Sequence, residues 1–202
     1  MKILVSISEL VKIKKGGKSE IYIVAGAADK NTANDADQPL TTGGSVATEG
    51  GVQIITTAVY TGIKQGGSLN LAGIGIPLYH GDPAGALAID YRFMESDAKE
   101  RGWGKAAQAI LDEELVQEGI TAVAGFASPL IGAALTPLFS KIAEMLQDNG
   151  DDDFGGGSYS SVGPRYDLGV GETVRVYPIS TNEMRGQLRV ELIEDASAVV
   201  EL

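Results

Sequence analysis

Two short stretches concentrate the side chains best suited to chemistry. One is Phe93-Met94-Glu95-Ser96-Asp97. The other is Asp148-Asn149-Gly150-Asp151-Asp152-Asp153-Phe154-Gly155-Gly156. Their carboxylates are hard oxygen donors, the ligand type that a calcium ion takes. Carboxylates crowded into one space repel one another, and a divalent ion relieves that repulsion. The residues between the two stretches, 98–147, read as helical, so the acidic segments stand at the two ends of one detour. If those ends meet, they form an oxygen-rich cage. If they do not, they are two solvated loops. The cage would not be an EF-hand, because the Asp-x-Asp-x-Asp-Gly spacing and the glutamate at the twelfth loop position are absent.

Other combinations carry less chemistry. His80 is the single histidine, and in His80-Gly81-Asp82-Pro83 it reads as a turn residue. No Gly-x-Ser-x-Gly elbow accompanies it. Gly17-Lys18-Ser19 lacks the leading glycine of a phosphate loop and is followed by a strand rather than a helix. Paired carboxylates can serve a hydrolase, but nothing in the sequence fixes their separation. The expectation is a protein that is not an enzyme.

Composition narrows the partners. The chain has 202 residues, a formal net charge of −11 and no cysteine. Disulfides, thiolate metal sites and cysteine nucleophiles are excluded. The negative charge opposes nucleic acid and anionic lipid unless a cation intervenes. Lys12, Lys14, Lys15 and Lys18 cluster near the start without interleaved aromatic side chains, and read as a solvated strand edge. The opening Met1-Lys2-Ile3-Leu4-Val5-Ser6 is too short and too alternating for a signal peptide. The expected location is cytoplasmic as synthesised, with release in a particle or by a dedicated export system as the alternative.

The elements that must position the acidic segments are mostly strands. Apolar residues alternate over 2–13, 20–27, 52–63, 68–79, 86–95, 172–179 and 187–194, with a brief strand at 165–168. Glycine pairs and triplets punctuate these runs. Residues 29–51 are small and polar, with no periodicity, and read as a long surface loop. The period then changes. Ala107, Ile110, Leu111 and Leu115 line one side of a helix over 105–118. Ser128-Pro129 starts a second helix, with Ile131, Leu135, Leu138, Ile142, Met145 and Leu146 as its stripe. Pro137 should kink or restart it. Gly119–Ser140 is uncharged and long enough to cross a bilayer, but Ser128-Pro129 breaks it. The favoured reading packs it on the strands as a hairpin tip; an oligomer contact or membrane insertion are the alternatives. Trp103 reads as a half-buried aromatic at a helix start.

Read in order, the pattern resembles a C2 domain. Ile3-Leu4-Val5-Ser6-Ile7-Ser8-Glu9-Leu10 and Gly17-Lys18-Ser19-Glu20-Ile21-Tyr22-Ile23-Val24 are similar to that family's first strand, first loop and Ser-Asp-Pro-Tyr-Val strand. Ala86 to Asp97 resembles its Leu-x-x-x-Val-x-Asp-x-Asp strand and loop, and Asp151-Asp152-Asp153-Phe154-Gly155 its Asp-Asp-x-Ile-Gly. The resemblance implies one domain over 1–202. It would be an antiparallel β-sandwich of about eight strands, with a two-helix hairpin inserted at 98–147. It implies calcium as cofactor, with Glu95, Asp97 and Asp152 as ligands, Asp151 or Asp153 assisting, and Glu20 at an acidic position of the first loop. Lys14 and Lys15 stand near the place of that loop's other acidic ligand.

The expected function is a non-enzymatic, calcium-binding C2-like module that engages a membrane surface or a protein partner through its loops and hairpin. Two alternatives remain open. One is a structural subunit of a larger assembly (virion, filament or secreted particle) with no functional ion, for which self-assembly is required. The other is a toxin whose uncharged hairpin inserts into bilayers.

Overall fold

The computed structural model describes residues 2–29, 45–49, 52–57, 59–69, 71, 75–83, 86–96, 118–119, 131–148, 151–162 and 167–193. These form two antiparallel sheets and one helix. The strands are β1 (Lys2–Lys12), β2 (Ser19–Asp29), β3 (Ser45–Glu49), β4 (Val52–Thr56), β5 (Tyr60–Ile63), β6 (Ser68–Leu69), β7 (Ile76–Gly81), β8 (Ala86–Glu95), β9 (Asp152–Val162), β10 (Val174–Ser180) and β11 (Met184–Ile193); the helix, α1, is Ile131–Asp148.

The first sheet runs β10-β11-β1-β6, with β7 also on β1. The second runs β3-β4-β2-β8-β9, with β5 also on β2. Alternation assigns the faces. Ile3, Val5 and Ile7 of β1 meet Ile21, Ile23, Ala25 and Ala27 of β2 and Leu87, Ile89, Tyr91 and Phe93 of β8 in one buried core between the sheets. The opposite face of the second sheet presents Tyr22, Val24, Ala28, Ala88 and Met94. Here α1 lies down, burying Leu135, Leu138, Phe139, Ile142 and Leu146. Each such side chain contributes roughly 1.5–3 kcal/mol of burial. Gly26 makes the close approach: a Cβ there would sit 2.0 Å from Cε2 of Phe139.

Several expectations change. The segment 45–49, read as loop, is a strand paired with β4. The run 52–63 breaks into β4 and β5, and 68–79 into β6 and β7. His80 and Gly81 end β7, with His80 opposite Leu4, rather than forming a turn. Residues 167–168 are not strand. The largest difference is β9. Asp152, Asp153 and the glycines after Phe154 are not a loop but the start of an 11-residue strand, while Asp148 ends α1. Gly155, at φ +84°, forms the bulge where the register with β8 shifts. Gly156 runs so close to β8 that a Cβ would lie 1.8 Å from the Tyr91 carbonyl oxygen. Glycines that punctuate turns elsewhere serve close backbone contact here. The helix α1 is continuous through Pro137. Of the partner helix of the expected hairpin only its last residue, Glu118, is described, and it is helical; the rest of that helix, and Trp103, lie outside the described residues.

Candidate functional site

One end of the sheets gathers the β1–β2, β8–β9 and β10–β11 connections. The backbone amides of Ile13 and Lys14 donate to the Glu183 carbonyl at 2.7 and 3.2 Å, and the Ser96 amide donates to the Glu20 carbonyl at 2.7 Å. Thr181 ties the β10–β11 turn to β9. Its hydroxyl donates to the Phe154 carbonyl at 2.7 Å and accepts from the amides of Glu183 (3.2 Å) and Met184 (2.9 Å). The Asp151 amide closes the end of α1 on the Leu146 carbonyl at 3.2 Å. Between these connections lies an open cleft of about 350 Å³, lined by Lys14, Gln147, Asp151, Asp152, Asp153 and Glu183.

The pleat divides the expected acidic residues between two faces. Asp152 pairs with Glu95 across β8 and β9, and Glu95 pairs with Ile21 of the inter-sheet core. Both carboxylates therefore project past the end of that core. Asp153 pairs with Met94, which belongs to the helix-side core. Asp153 consequently projects to the helix side, as does Glu20 by alternation with Tyr22. Asp151 joins that side: the buried Tyr22 hydroxyl donates to its Oδ2 at 3.1 Å. Asp97 lies outside the described residues.

Each group holds a cation of the chain's own. On the core side, Lys14 Nζ stands 2.8 Å from Glu183 Oε1 and 4.9 Å above the Phe154 ring centroid. The bond to Glu183 raises the Lys14 pKa against a lesser effect of burial, and Asp152 and Glu95 add to it. The other Glu183 oxygen, Oε2, is buried without a hydrogen-bond partner. On the helix side, Arg92 Nη1 is 3.7 Å from Asp153 Oδ2, while Asp153 Oδ1 accepts from the Gly155 amide at 2.6 Å. Burial first, then the Asp151 carboxylate, holds Tyr22 firmly in its protonated form.

This arrangement answers the fit of a calcium ion. Such an ion takes six to eight oxygens from one surrounding shell. Among the described residues no three ligand-type side chains stand together at metal-binding spacing. Asp151 and Asp153 spend oxygens on Tyr22 and Gly155, and an ammonium occupies the space beside Asp152. The described residues do not by themselves make the cage.

Three participants escaped the sequence reading. Lys12 is not a solvated edge lysine but 2% exposed. Its ammonium donates to the Gly17 carbonyl at 3.1 Å and to the Ser19 hydroxyl, and lies 5.9 Å from the Phe154 ring centroid. The irregularity in β1 between Ile7 and Glu9 turns Leu10, and with it Lys12, inward, and no sequence pattern announces it. Glu183 joins because a two-strand turn brings it beside Lys14. Asp90, 2% exposed, sits under α1. Burial pushes its pKa up to about 6, against a hydrogen bond from Thr136 and the charge of Arg92. The alternation of β8 places Asp90 and Arg92 on one face, but only the helix makes that face an interior.

Among the described residues no helix is long and apolar enough to cross a membrane. Compared with models of known protein families, with curated proteins and with solved structures, the chain matches none of them significantly.

Proposed function

We propose that this chain is a non-enzymatic, C2-like β-sandwich module whose acidic loop end binds a basic segment of a protein partner. The observation that supports this most is the open cleft wrapped around the start of β9. Four carboxylates line it: Asp152 and Glu183 on one face, Asp151 and Asp153 on the other; Glu95 adds its charge beside Lys14 from outside the lining. Lys14 and Arg92 offset only part of that charge. A cleft of this sign focuses cationic groups, within a chain that already carries −11. It repels anionic lipid and nucleic acid. The apolar stripe of α1 is spent on the second sheet, so the loops, rather than the helix, are the part left to engage a partner.

Calcium enters this reading only with ligands beyond the described residues, Asp97 first among them. Calorimetry with calcium, on the wild type and on Asp97→Asn and Asp152→Asn, tests that arm. The partner reading is tested with a lysine-rich peptide and a variant carrying Asp152→Asn and Asp153→Asn. The control is Glu172→Gln, which removes charge between β9 and β10, at the far end of β9 from the cleft. Peptide affinity should fall with the cleft substitutions and hold with the control. Equal losses would reduce the binding to net charge alone and reject the cleft.

A further inference from the structure

Edge strands in natural proteins are shortened, bulged or guarded by charge and proline, because their free main-chain groups accept another strand. Most described edges follow that rule. β10 carries Arg175 and Pro178, β3 has five residues, β5 four and β6 two. β9 does not. It is 11 residues long, and among the described residues it pairs with β8 alone. From Phe154 to Val162 it has neither a charged residue nor a proline. Its bulge lies at the start, and from Gly156 to Val162 the register with β8 is unbroken. The side chains facing outward are small or uncovered: Ser158 and Ser160 are exposed, and Val162 is 65% exposed.

We propose that residues 156–162 of β9 pair antiparallel with the same residues of a second copy, extending the second sheet across a twofold axis. The identity of the occupant follows from charge and symmetry. An uncharged stretch offers nothing to a charged partner, which the cleft would draw instead. Pairing with itself makes the interface isologous, and glycine and serine oppose one another without crowding. The antiparallel sense also answers the net charge of −11. Centred on Tyr159, it sets the two Asp152 residues roughly 45 Å apart at about 3.3 Å per residue. That is several screening lengths at physiological salt. Parallel pairing would set them side by side. The acidic cleft stays open in this dimer, so the inference stands apart from the partner-binding reading.

The test is sedimentation velocity of the full chain from about 1 μM to about 1 mM, joined to residue-resolved amide exchange at both ends of that range. The expected result is a concentration-dependent shift from 21.0 kDa toward twice that mass. With it, protection along 156–162 should change from alternate amides to consecutive ones. Ser158→Lys with Ser160→Lys should raise the concentration needed by about tenfold or more, and Val176→Lys on β10 should leave it unchanged. A monomer throughout, a dimer indifferent to the two lysines, or protection gained elsewhere overturns the proposal. The exchange pattern needs no variant, so a misfolded lysine mutant would not shield it.

Discussion

The Asp90 carboxyl makes stability depend on pH in a direction opposite to that of most carboxylates. It lies in the middle of β8 beneath α1, 2% exposed, with Oδ1 lacking a hydrogen-bond partner and Arg92 Nε 3.7 Å away. Arg92 also reaches Ser140 of α1 at 3.2 Å and Asp153 of β9 at 3.7 Å. Gly26, the register neighbour on β2, brings no charge. Burial raises the folded pKa of Asp90 from 3.8 to about 6. The folded state therefore binds the proton more tightly than the unfolded chain. The contribution of Asp90 is most favourable below pH 4, declines as pH rises through 6, and is flat above. About two pKa units correspond to roughly 2–3 kcal/mol at neutral pH. Asp90→Asn keeps the shape and removes the charge. It should leave stability near pH 4 almost unchanged and raise it at pH 7.5 by about 1–3 kcal/mol, the lower figure allowing for the lost attraction to Arg92. In a domain of this size that is a rise in Tm of roughly 2–12 °C. Urea unfolding of both proteins from pH 4 to 8 makes the measurement, because the difference between them cancels the other carboxylates. A difference that does not vary with pH, or a variant less stable at pH 7.5 than at pH 4 relative to the wild type, would refute the reasoning.

Two further perturbations test the packing that shapes the cleft. Gly26→Ala should cost about 1–3 kcal/mol, because the new methyl meets the Phe139 ring at 2.0 Å; adding Phe139→Leu should recover part of that loss in chemical denaturation. Thr181→Val should cost about 1–3 kcal/mol by orphaning the Phe154 carbonyl and the amides of Glu183 and Met184, and amide exchange should quicken at 183–184 before it does elsewhere.

Much of the fold was legible. β1, β2, β8, β10 and β11 fall within two or three residues of the alternating runs, because in each of them apolar side chains recur at every second position on the inter-sheet face; β2 and β8 are buried on their other face as well. The stripe Leu135, Leu138, Ile142 and Leu146 was legible for the same reason at helical spacing. β3 and β9 were not. Ser45–Glu49 has only one large apolar side chain, and its pairing with β4 makes it a strand. In β9 the triple glycine mimics a turn, and only the nearness of Tyr91 reveals why it is there.

The candidate site divides along the same line. The sequence determined that acidic residues flank the β8–β9 detour, that the chain is strongly anionic, and that cysteine chemistry is excluded, because these follow from residue types and order alone. The tertiary structure decided which carboxylates share a face. A strand alternates its side chains, so neighbours in sequence such as Asp152 and Asp153 point apart, while Glu95, Asp152 and Glu183, far apart in the chain, converge on Lys14. It also decided that Lys12 and Asp90 are buried, since burial belongs to the layers that close over a residue and not to the residue itself.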